Sequence, residues 1–196
     1  MFKKKFKVCL IGFGRFGKKY FENLKKSSLF SVDFIIRKNK YNKVSSVKTF
    51  NNLAAIKNKN IDGVIIVSPP DTHFDNCKFF LKKETPIILE KPAASNIKQL
   101  NNLIKIRKKN TIIHVNHPDL HNPLFEKIGL YKKQIGKINF ITFNFGKFDY
   151  QYTVKRKVLP CIDWLPHILA TLTFFLNQKI KLEVKKNYLI VKKKCY

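Results

Sequence analysis

Short apolar runs alternate with amphipathic stretches along the first part of the chain. Five runs rich in β-branched and aromatic residues are typical of buried strands: Phe6–Ile11, Phe30–Ile36, Ile61–Val67, Pro86–Leu89 and Thr111–Val115. The stretches between them favour helices: Arg15–Ser27, Leu53–Lys57, Thr72–Lys82 and Ser95–Lys109, the last with a good N-cap at Ser95. Strands separated by helices predict an α/β fold with a doubly wound parallel sheet and right-handed crossovers.

After about residue 120 the pattern changes and predicts a second, smaller α+β domain. Two helices and three strands are expected there: Leu124–Lys133, Leu159–Leu176, Ile138–Phe145, Ile180–Val184 and Tyr188–Val191. We therefore divide the chain into residues 1–120 and a shortened domain of residues 121–196, which is small for a domain of its own.

The formal net charge of +28 is the most unusual feature of the composition. Nucleic acid or an anionic membrane surface would be a natural partner for such a charge. However, only four of the 40 basic residues are arginines, and the lysines are spread over every segment. Asn, Ile, Phe and Tyr are abundant as well, so a composition set by AT-rich codons is favoured over a nucleic-acid-binding role.

Membrane and metal classes find no support in the pattern either. No apolar stretch approaches the roughly 18 residues of a membrane span, and the first apolar run is shorter than the apolar core of about 7–15 residues in a signal peptide. The four cysteines are scattered, without a CxxC pair: Cys9, Cys77, Cys161 and Cys195. This indicates reduced thiols in the cytoplasm, no metal site and no membrane partner.

A glycine-rich motif of the form GxGxxG links the first predicted strand to the first predicted helix: Gly12, Phe13, Gly14, Arg15, Phe16 and Gly17. In this context Gly12 permits a tight turn, Gly14 allows close approach of a pyrophosphate, and Gly17 lets helix and strand pack together. The N–H groups and dipole of the helix then favour the anion. The motif predicts a Rossmann dinucleotide-binding domain, and a glycine turn without a ligand is the alternative.

The residues that follow the second predicted strand bear on the choice of cofactor. A carboxylate about 20 residues beyond the motif usually binds the adenosine ribose, but Arg37 and Lys38 stand at this place. A basic pair suits a 2′-phosphate, so NADP(H) is at least as well supported as NAD(H). Alternatively, both are surface cations of a lysine-rich chain.

Three further motifs follow in order along the chain. Ser68–Pro70 with His73 resembles the (T/S)-P-x-x-x-H segment of the Gfo/Idh/MocA oxidoreductases. Glu90–Pro92 resembles their EKP signature, and Asp163–His167 their D-x-x-x-H signature. The resemblance covers about residues 6–176 and implies a nicotinamide-dependent oxidoreductase that transfers hydride at a hydroxyl or keto carbon of a sugar or sugar derivative.

The resemblance also implies roles for individual residues. Lys91 becomes a catalytic or substrate-orienting lysine, and Glu90 touches the nicotinamide ribose. The cofactor is lined by Ser68, Pro69 and His73, and the Lys91–Pro92 peptide bond is expected to be cis. Lys91 would also stand at the carboxyl end of a parallel strand, where such sheets bind ligands. As a lone lysine it would otherwise be a surface residue.

The D-x-x-x-H pair is open to two interpretations. Asp163 and His167 are four positions apart, so a helix would turn both to the same side. His167 could then pass the proton or bind the reacting hydroxyl while Asp163 orients it. Alternatively, Asp163 is an N-cap and His167 a packed core histidine. Asn116 and His117, after the strand Thr111–Val115, are further candidates on the substrate side.

Members of the resembling family carry a much larger second domain that often mediates oligomers. A chain of 196 residues is therefore expected to be either a short member or a truncated and inactive one. As an active enzyme it would be a cytoplasmic homo-oligomer acting on a small sugar-type substrate. The alternative is a non-catalytic Rossmann scaffold that binds a nucleotide or, through its basic surface, nucleic acid.

Overall fold

The computed structural model describes residues 4–38, 46–137, 141–142 and 160–176. Six strands form one sheet: β1 Phe6–Ile11, β2 Phe30–Ile36, β3 Lys48–Phe50, β4 Gly63–Ile66, β5 Ile87–Glu90 and β6 Ile113–Asn116. Their spatial order is β3-β2-β1-β4-β5-β6, and all neighbours are parallel. This is the strand order of the Rossmann fold, and the predicted fold class is confirmed.

Five α-helices are described: α1 Arg15–Lys25, α2 His73–Leu81, α3 Ile97–Ile106, α4 Pro123–Ile135 and α5 Pro160–Leu176. Three short 3-10 helices connect other elements: Ala54–Ile56, Pro70–Thr72 and Pro118–His121. The chain therefore crosses from strand to strand mostly through helices, as βαβ units require.

Both faces of the sheet are buried because successive side chains of each strand point to opposite sides. In β1, Val8 and Leu10 join an apolar cluster on one face, and Phe21 of α1 packs into the same cluster. Cys9 and Ile11 join the larger cluster on the other face. That face is covered by α2 and α3, which contribute three fully buried aliphatic or aromatic side chains: Phe80, Leu81 and Leu103.

Two cysteine thiols lie within this core. Cys9 and Cys77 are fully buried, and burial raises the pKa of each thiol to about 12. Both therefore stay protonated near neutral pH and serve as small apolar groups.

The structure corrects two local predictions. The N-cap of α3 is Asn96, not Ser95, because the extended Asn96 accepts a hydrogen bond from the Gln99 N–H at 2.9 Å. The Ser95 N–H donates to the Gln99 side chain at 3.1 Å, which resembles a capping box shifted by one residue. The short strand β3 was not predicted, since its three residues carry no buried apolar pattern.

Beyond the sheet, the predicted helices over Leu124–Lys133 and Leu159–Leu176 correspond to α4 and α5. The two helices meet at an aromatic contact, where the Phe125 ring lies 5.8 Å from Phe174 and 5.4 Å from Phe175. The strands predicted over Ile180–Val184 and Tyr188–Val191, and most of Ile138–Phe145, lie outside the described residues. None of the helices that the structure describes is long and apolar enough to traverse a bilayer.

Candidate active site

The glycine loop between β1 and α1 is closed on one side and open on the other. Gly12 has φ +96°, and a Cβ there would lie 2.8 Å from the Ser68 nitrogen and the Val67 carbonyl. A Cβ at Gly17 would lie 2.3 Å from the Gly12 oxygen. By contrast, a Cβ at Gly14 would meet no atom within 4 Å. Glycine is therefore required at the first and third positions by packing, and at the second only an approaching ligand would require it.

The open side of the loop coincides with the N-terminus of α1. Gly14 is the N-cap, no side chain caps the helix, and its first turn holds no acidic residue. In the sheet, β1 and β4 are neighbours, and the strand order reverses between them. The glycine loop lies at this point, where such sheets bind ligands. Uncapped N–H groups beside an open glycine fit the pyrophosphate of a dinucleotide.

Several predicted cofactor residues surround this loop. The Arg37 guanidinium lies 5.8 Å from the centre of the Phe13 ring, so the basic residue after β2 adjoins the glycine motif. Arg15 lies over the Phe16 ring at 5.2 Å. Lys38, also predicted to meet the 2′-phosphate, is exposed. The side of the loop next to β2 is thus aromatic and cationic, and its contact with a cofactor stays a prediction.

His73 joins the segments that follow β4 and β5. The ring is only 1% exposed, with Nδ1 2.8 Å from the Pro92 carbonyl oxygen and Nε2 2.8 Å from that of Ser68. Carbonyl oxygens only accept, so the ring donates to the one that faces its protonated nitrogen, as the tautomer determines. His73 therefore braces two loops at the carboxyl edge of the sheet.

Ser68 and Pro69 form the turn after β4. The Ser68 hydroxyl oxygen lies 2.7 Å from the Thr72 hydroxyl and accepts from the Asn76 amide at 3.0 Å. These contacts fix the turn that closes over Gly12. The predicted contacts of Ser68, Pro69 and His73 with the cofactor stay predictions.

A triangle of hydrogen bonds surrounds Glu90 at the end of β5. The Tyr20 hydroxyl of α1 donates to Glu90 Oε1 at 2.9 Å, and the Asn116 amide donates to the same oxygen at 2.8 Å. The Asn116 amide also donates to the Tyr20 oxygen at 2.7 Å. Burial, and then the charge of Glu90, raise the pKa of Tyr20, so its phenol remains a donor.

Lys91 follows directly after this triangle and is partly buried at the carboxyl end of β5. The Lys91–Pro92 peptide bond is cis, which confirms the expectation from the resemblance. Glu90 and Asn116 are register partners of β5 and β6. The structure therefore brings Glu90, Lys91 and Asn116 to one edge of the sheet.

His167 of α5 reaches the same edge. Its Nδ1 is hydrogen-bonded to the carboxylate of Asp119, in the 3-10 helix that follows β6. The His167 side chain is 13% exposed and that of Asp119 49%, so the imidazole is the more enclosed partner. Asp163 lies within α5, which begins at Pro160; the alternative of Asp163 as an N-cap is wrong. The Asp163 side chain lies outside the described part of the structure.

His117, directly after β6, belongs to the same group of side chains. Its Nδ1 is buried and has no hydrogen-bond partner among the described residues. Desolvation, and then the nearby His167 and His114, lower the pKa of His117, while Asp119 and Glu90 oppose this. A neutral imidazole here can accept as well as donate a hydrogen bond.

Two residues of this site were missed from the sequence. The helical pattern places Tyr20 on the apolar face of α1, although a partly buried tyrosine needs a partner for its hydroxyl. Asp119 follows closely after a parallel strand, the position where ligand-binding side chains gather. Across the described residues, no group of three or more histidine, cysteine or carboxylate side chains could hold a metal ion.

Comparison with known proteins identifies the family. Residues 6–117 match the Gfo/Idh/MocA family, described as an oxidoreductase family with an NAD-binding Rossmann fold. This match covers more than half of the chain, and the chain belongs to this family.

Individual proteins are similar to the chain in sequence or in fold. The uncharacterized oxidoreductase YgjR of Escherichia coli (strain K12) is 25% identical over 135 residues, which make up 68% of this chain and 38% of YgjR. Apo scyllo-inositol dehydrogenase from Lactobacillus casei has a similar fold, with a TM-score of 0.72 at 18% identity over 89% of this chain and 56% of its own. GenD2 from gentamicin A biosynthesis, solved in complex with NAD, gives 0.73 at 12% identity over 90% of this chain and 55% of its own. The chain thus spans between about a third and a little over half of the length of these proteins.

Proposed function

We propose that this chain binds a nicotinamide dinucleotide and transfers hydride between it and a hydroxyl or keto carbon of a sugar or sugar derivative. The observation that carries the proposal is the glycine loop, which is packed tightly at Gly12 and Gly17 and open at Gly14. The open position adjoins the uncapped N-terminus of α1. Membership of an NAD-binding oxidoreductase family supports the same conclusion.

The surroundings of the loop favour NADP(H) at least as much as NAD(H). Arg37 adjoins Phe13 at the end of β2, where a 2′-phosphate on the adenosine ribose would lie in this fold. Arginine binds phosphate as a planar two-pronged donor. NAD is the cofactor in the GenD2 complex, so both cofactors enter the test below.

The proton of the substrate hydroxyl is assigned to Lys91 and His167. The dinucleotide supplies the hydride acceptor or donor, and the chain must supply the acid or base. His167 is hydrogen-bonded to Asp119. A carboxylate bound to one ring nitrogen fixes the tautomer and the orientation of the imidazole, and so determines the role of the other nitrogen. Asp119 thereby takes the orienting role that the sequence suggested for Asp163.

One of the similar solved structures supports a proposal about the substrate. The Lactobacillus casei protein is named for a cyclic polyol, scyllo-inositol, which fits a substrate with neighbouring hydroxyl groups. We propose a small sugar-type substrate and a cytoplasmic homo-oligomer. Asn116, which holds Glu90, would lie between cofactor and substrate.

Titration of the purified chain with NADH and with NADPH, followed by the fluorescence of the reduced nicotinamide, tests this function. We expect saturable binding of at least one dinucleotide. Binding of neither, together with a salt-dependent affinity for nucleic acid, would instead support the scaffold alternative. Turnover with NAD or NADP and a panel of sugars and cyclic polyols then tests the reaction.

A further inference from the structure

We infer that Tyr20 is a positioning residue: its hydroxyl fixes Glu90 for the ribose on the nicotinamide side of the cofactor. The inference rests on the proposed function and adds to it a residue from the helix that begins at the glycine loop. It predicts that one hydroxyl group in α1 governs affinity for the nicotinamide half of the dinucleotide while leaving the other half unaffected.

Three elements contribute to the arrangement. Glu90 and Asn116 are paired in register at the ends of β5 and β6. Tyr20 comes from α1, 70 and 96 positions away in sequence. The three side chains therefore connect the helix at the glycine loop with the edge of the sheet that carries Lys91.

The donor and the acceptor of each hydrogen bond in the triangle follow from the groups involved. An ionised carboxylate only accepts, so the Tyr20 proton is donated to Glu90 Oε1. The Asn116 amide nitrogen donates to both Glu90 Oε1 and the Tyr20 oxygen, at 2.8 and 2.7 Å. This assignment fixes the orientation of the Asn116 amide and the rotamer of Glu90 together.

The triangle leaves two acceptors outside it, Oε2 of Glu90 and Oδ1 of Asn116. Ribose carries two neighbouring hydroxyl groups that need acceptors, so the pair matches a vicinal diol in chemistry. A fixed acceptor binds more tightly than a mobile one because less side-chain entropy is lost on binding. Tyr20 supplies this fixation without touching the ligand.

The environment of Tyr20 supports a positioning role. Its ring packs against the apolar cluster that contains Leu10 and Phe21. This packing restricts the position of the phenol. Its hydroxyl is directed at a charged acceptor, and hydrogen bonds to charged groups are stronger than neutral ones. Replacement by phenylalanine removes the hydroxyl and keeps the packing.

The test compares two ligands on Tyr20→Phe by calorimetry. One is the reduced dinucleotide that the parent binds more tightly; the other is the fragment that ends at the pyrophosphate, ADP for NADH or 2′-phospho-ADP for NADPH. We expect affinity for the dinucleotide to fall about 3- to 10-fold, the usual range for one positioned hydrogen bond. Affinity for the fragment should stay within about twofold, because the glycine loop is unchanged.

Two further variants make the result specific. Glu90→Gln should show the same selective loss, and the double variant should lose little more than the larger single effect, since the residues act as a unit. Tyr131→Phe, at an exposed tyrosine of α4, is the matched control and should bind both ligands like the parent. Circular dichroism melting establishes that each variant is folded. If Tyr20→Phe does not fold, Glu90→Gln, which leaves Tyr20 in place, tests the selective loss of dinucleotide affinity.

The possible outcomes separate the two proposals. If the parent binds a dinucleotide and Tyr20→Phe loses affinity for dinucleotide and fragment equally, or for neither, the positioning role is overturned and the proposed function stands. If the parent binds neither dinucleotide, the proposed function fails, and the inference fails with it.

Discussion

The imidazole of His167 is hydrogen-bonded through Nδ1 to the carboxylate of Asp119, although 48 positions separate the two residues. The bond joins α5 to the segment that follows β6, the strand paired with β5. It therefore brings a histidine from outside the sheet to the edge where Lys91 stands. A carboxylate that holds one imidazole nitrogen is a common arrangement in proton transfer.

If Lys91 and His167 share the handling of one proton, Lys91→Ala and His167→Ala should each lower turnover by about 10²–10⁴-fold, the usual cost of losing a proton-transfer group. Dinucleotide affinity should remain nearly unchanged in both. The double variant should lose much less than the product of the single effects, because groups acting as a unit are not additive. Steady-state kinetics of the four proteins measure this, and fully multiplicative losses would contradict shared proton transfer.

Asp119→Asn should lower turnover by less than His167→Ala, because an amide can still hold the ring while it no longer stabilises the imidazolium. Asp75→Asn, at an exposed carboxylate of α2, removes the same charge away from the pair and serves as the control. The kcat values of Asp119→Asn, Asp75→Asn and His167→Ala, each compared with that of the parent, measure the effect. An Asp119→Asn variant with the kcat of the Asp75→Asn control would show that Asp119 does not orient His167.

Gly14→Val should fold like the parent but lose dinucleotide binding. A Cβ at this position would meet no protein atom within 4 Å, whereas the valine side chain would occupy the space of the pyrophosphate. Thermal melting and the fluorescence titration measure the two properties separately. Binding of NADPH or NADH with the parent's affinity would show that the glycine loop does not bind the pyrophosphate.

Gly17→Ala, in the same loop, should lower the free energy of unfolding, because its Cβ would lie 2.3 Å from the Gly12 oxygen. Overpacking of this kind costs about 1–3 kcal/mol and sometimes more. Gly129→Ala, in α4 with nothing within 4 Å, is the matched control and should gain up to about 1 kcal/mol in stability. Urea unfolding of both variants gives the comparison, and equal stabilities would contradict the close packing of the loop.

The lowered pKa of His117 makes stability depend on pH in a defined direction. The unfolded histidine, with a pKa near 6.5, binds a proton more readily than the folded one, so stability is lost as the pH falls below about 6.5. His117→Gln should therefore show a smaller drop in melting temperature than the parent between about pH 7.5 and pH 5.5. His121→Gln, at an exposed histidine in the neighbouring 3-10 helix, is the comparison variant. A drop in His117→Gln as large as in the parent would refute the assignment.

If Arg37 contacts the adenosine ribose, the preference between the two cofactors should depend on this one position. Arg37→Asp should shift the preference from NADPH toward NADH, because a carboxylate beside the glycine motif repels the 2′-phosphate. Lys98→Asp, at an exposed lysine of α3, makes the same change in charge elsewhere and should leave the preference intact. The ratio of the two dissociation constants is the measurement. An unaltered ratio in Arg37→Asp would place Arg37 away from the ribose.

The local pattern of the chain was sufficient for five of the six strands of the sheet and for the glycine loop. The strands Phe6–Ile11 and Phe30–Ile36 were predicted with the bounds that the structure has, because each is a short run rich in apolar residues that ends in a buried apolar segment before a turn. Gly12, Gly14 and Gly17 were assigned from their spacing and from their place between a predicted strand and a predicted helix, since the backbone itself forms the loop. In these cases the physical cause lies within a few consecutive residues.

Only the tertiary structure decided which polar side chains meet. Tyr20 and Glu90 are 70 positions apart, and Asp119 and His167 are 48 apart; no local periodicity links them. Their contacts depend on the order of the strands, which places β5 beside β6. They depend also on the packing of α1 against the sheet and of α5 against the 3-10 helix that follows β6. The sequence determined the elements because hydrophobic periodicity is local, whereas the partners of Glu90 and His167 were set by the way the chain folds back over its own sheet.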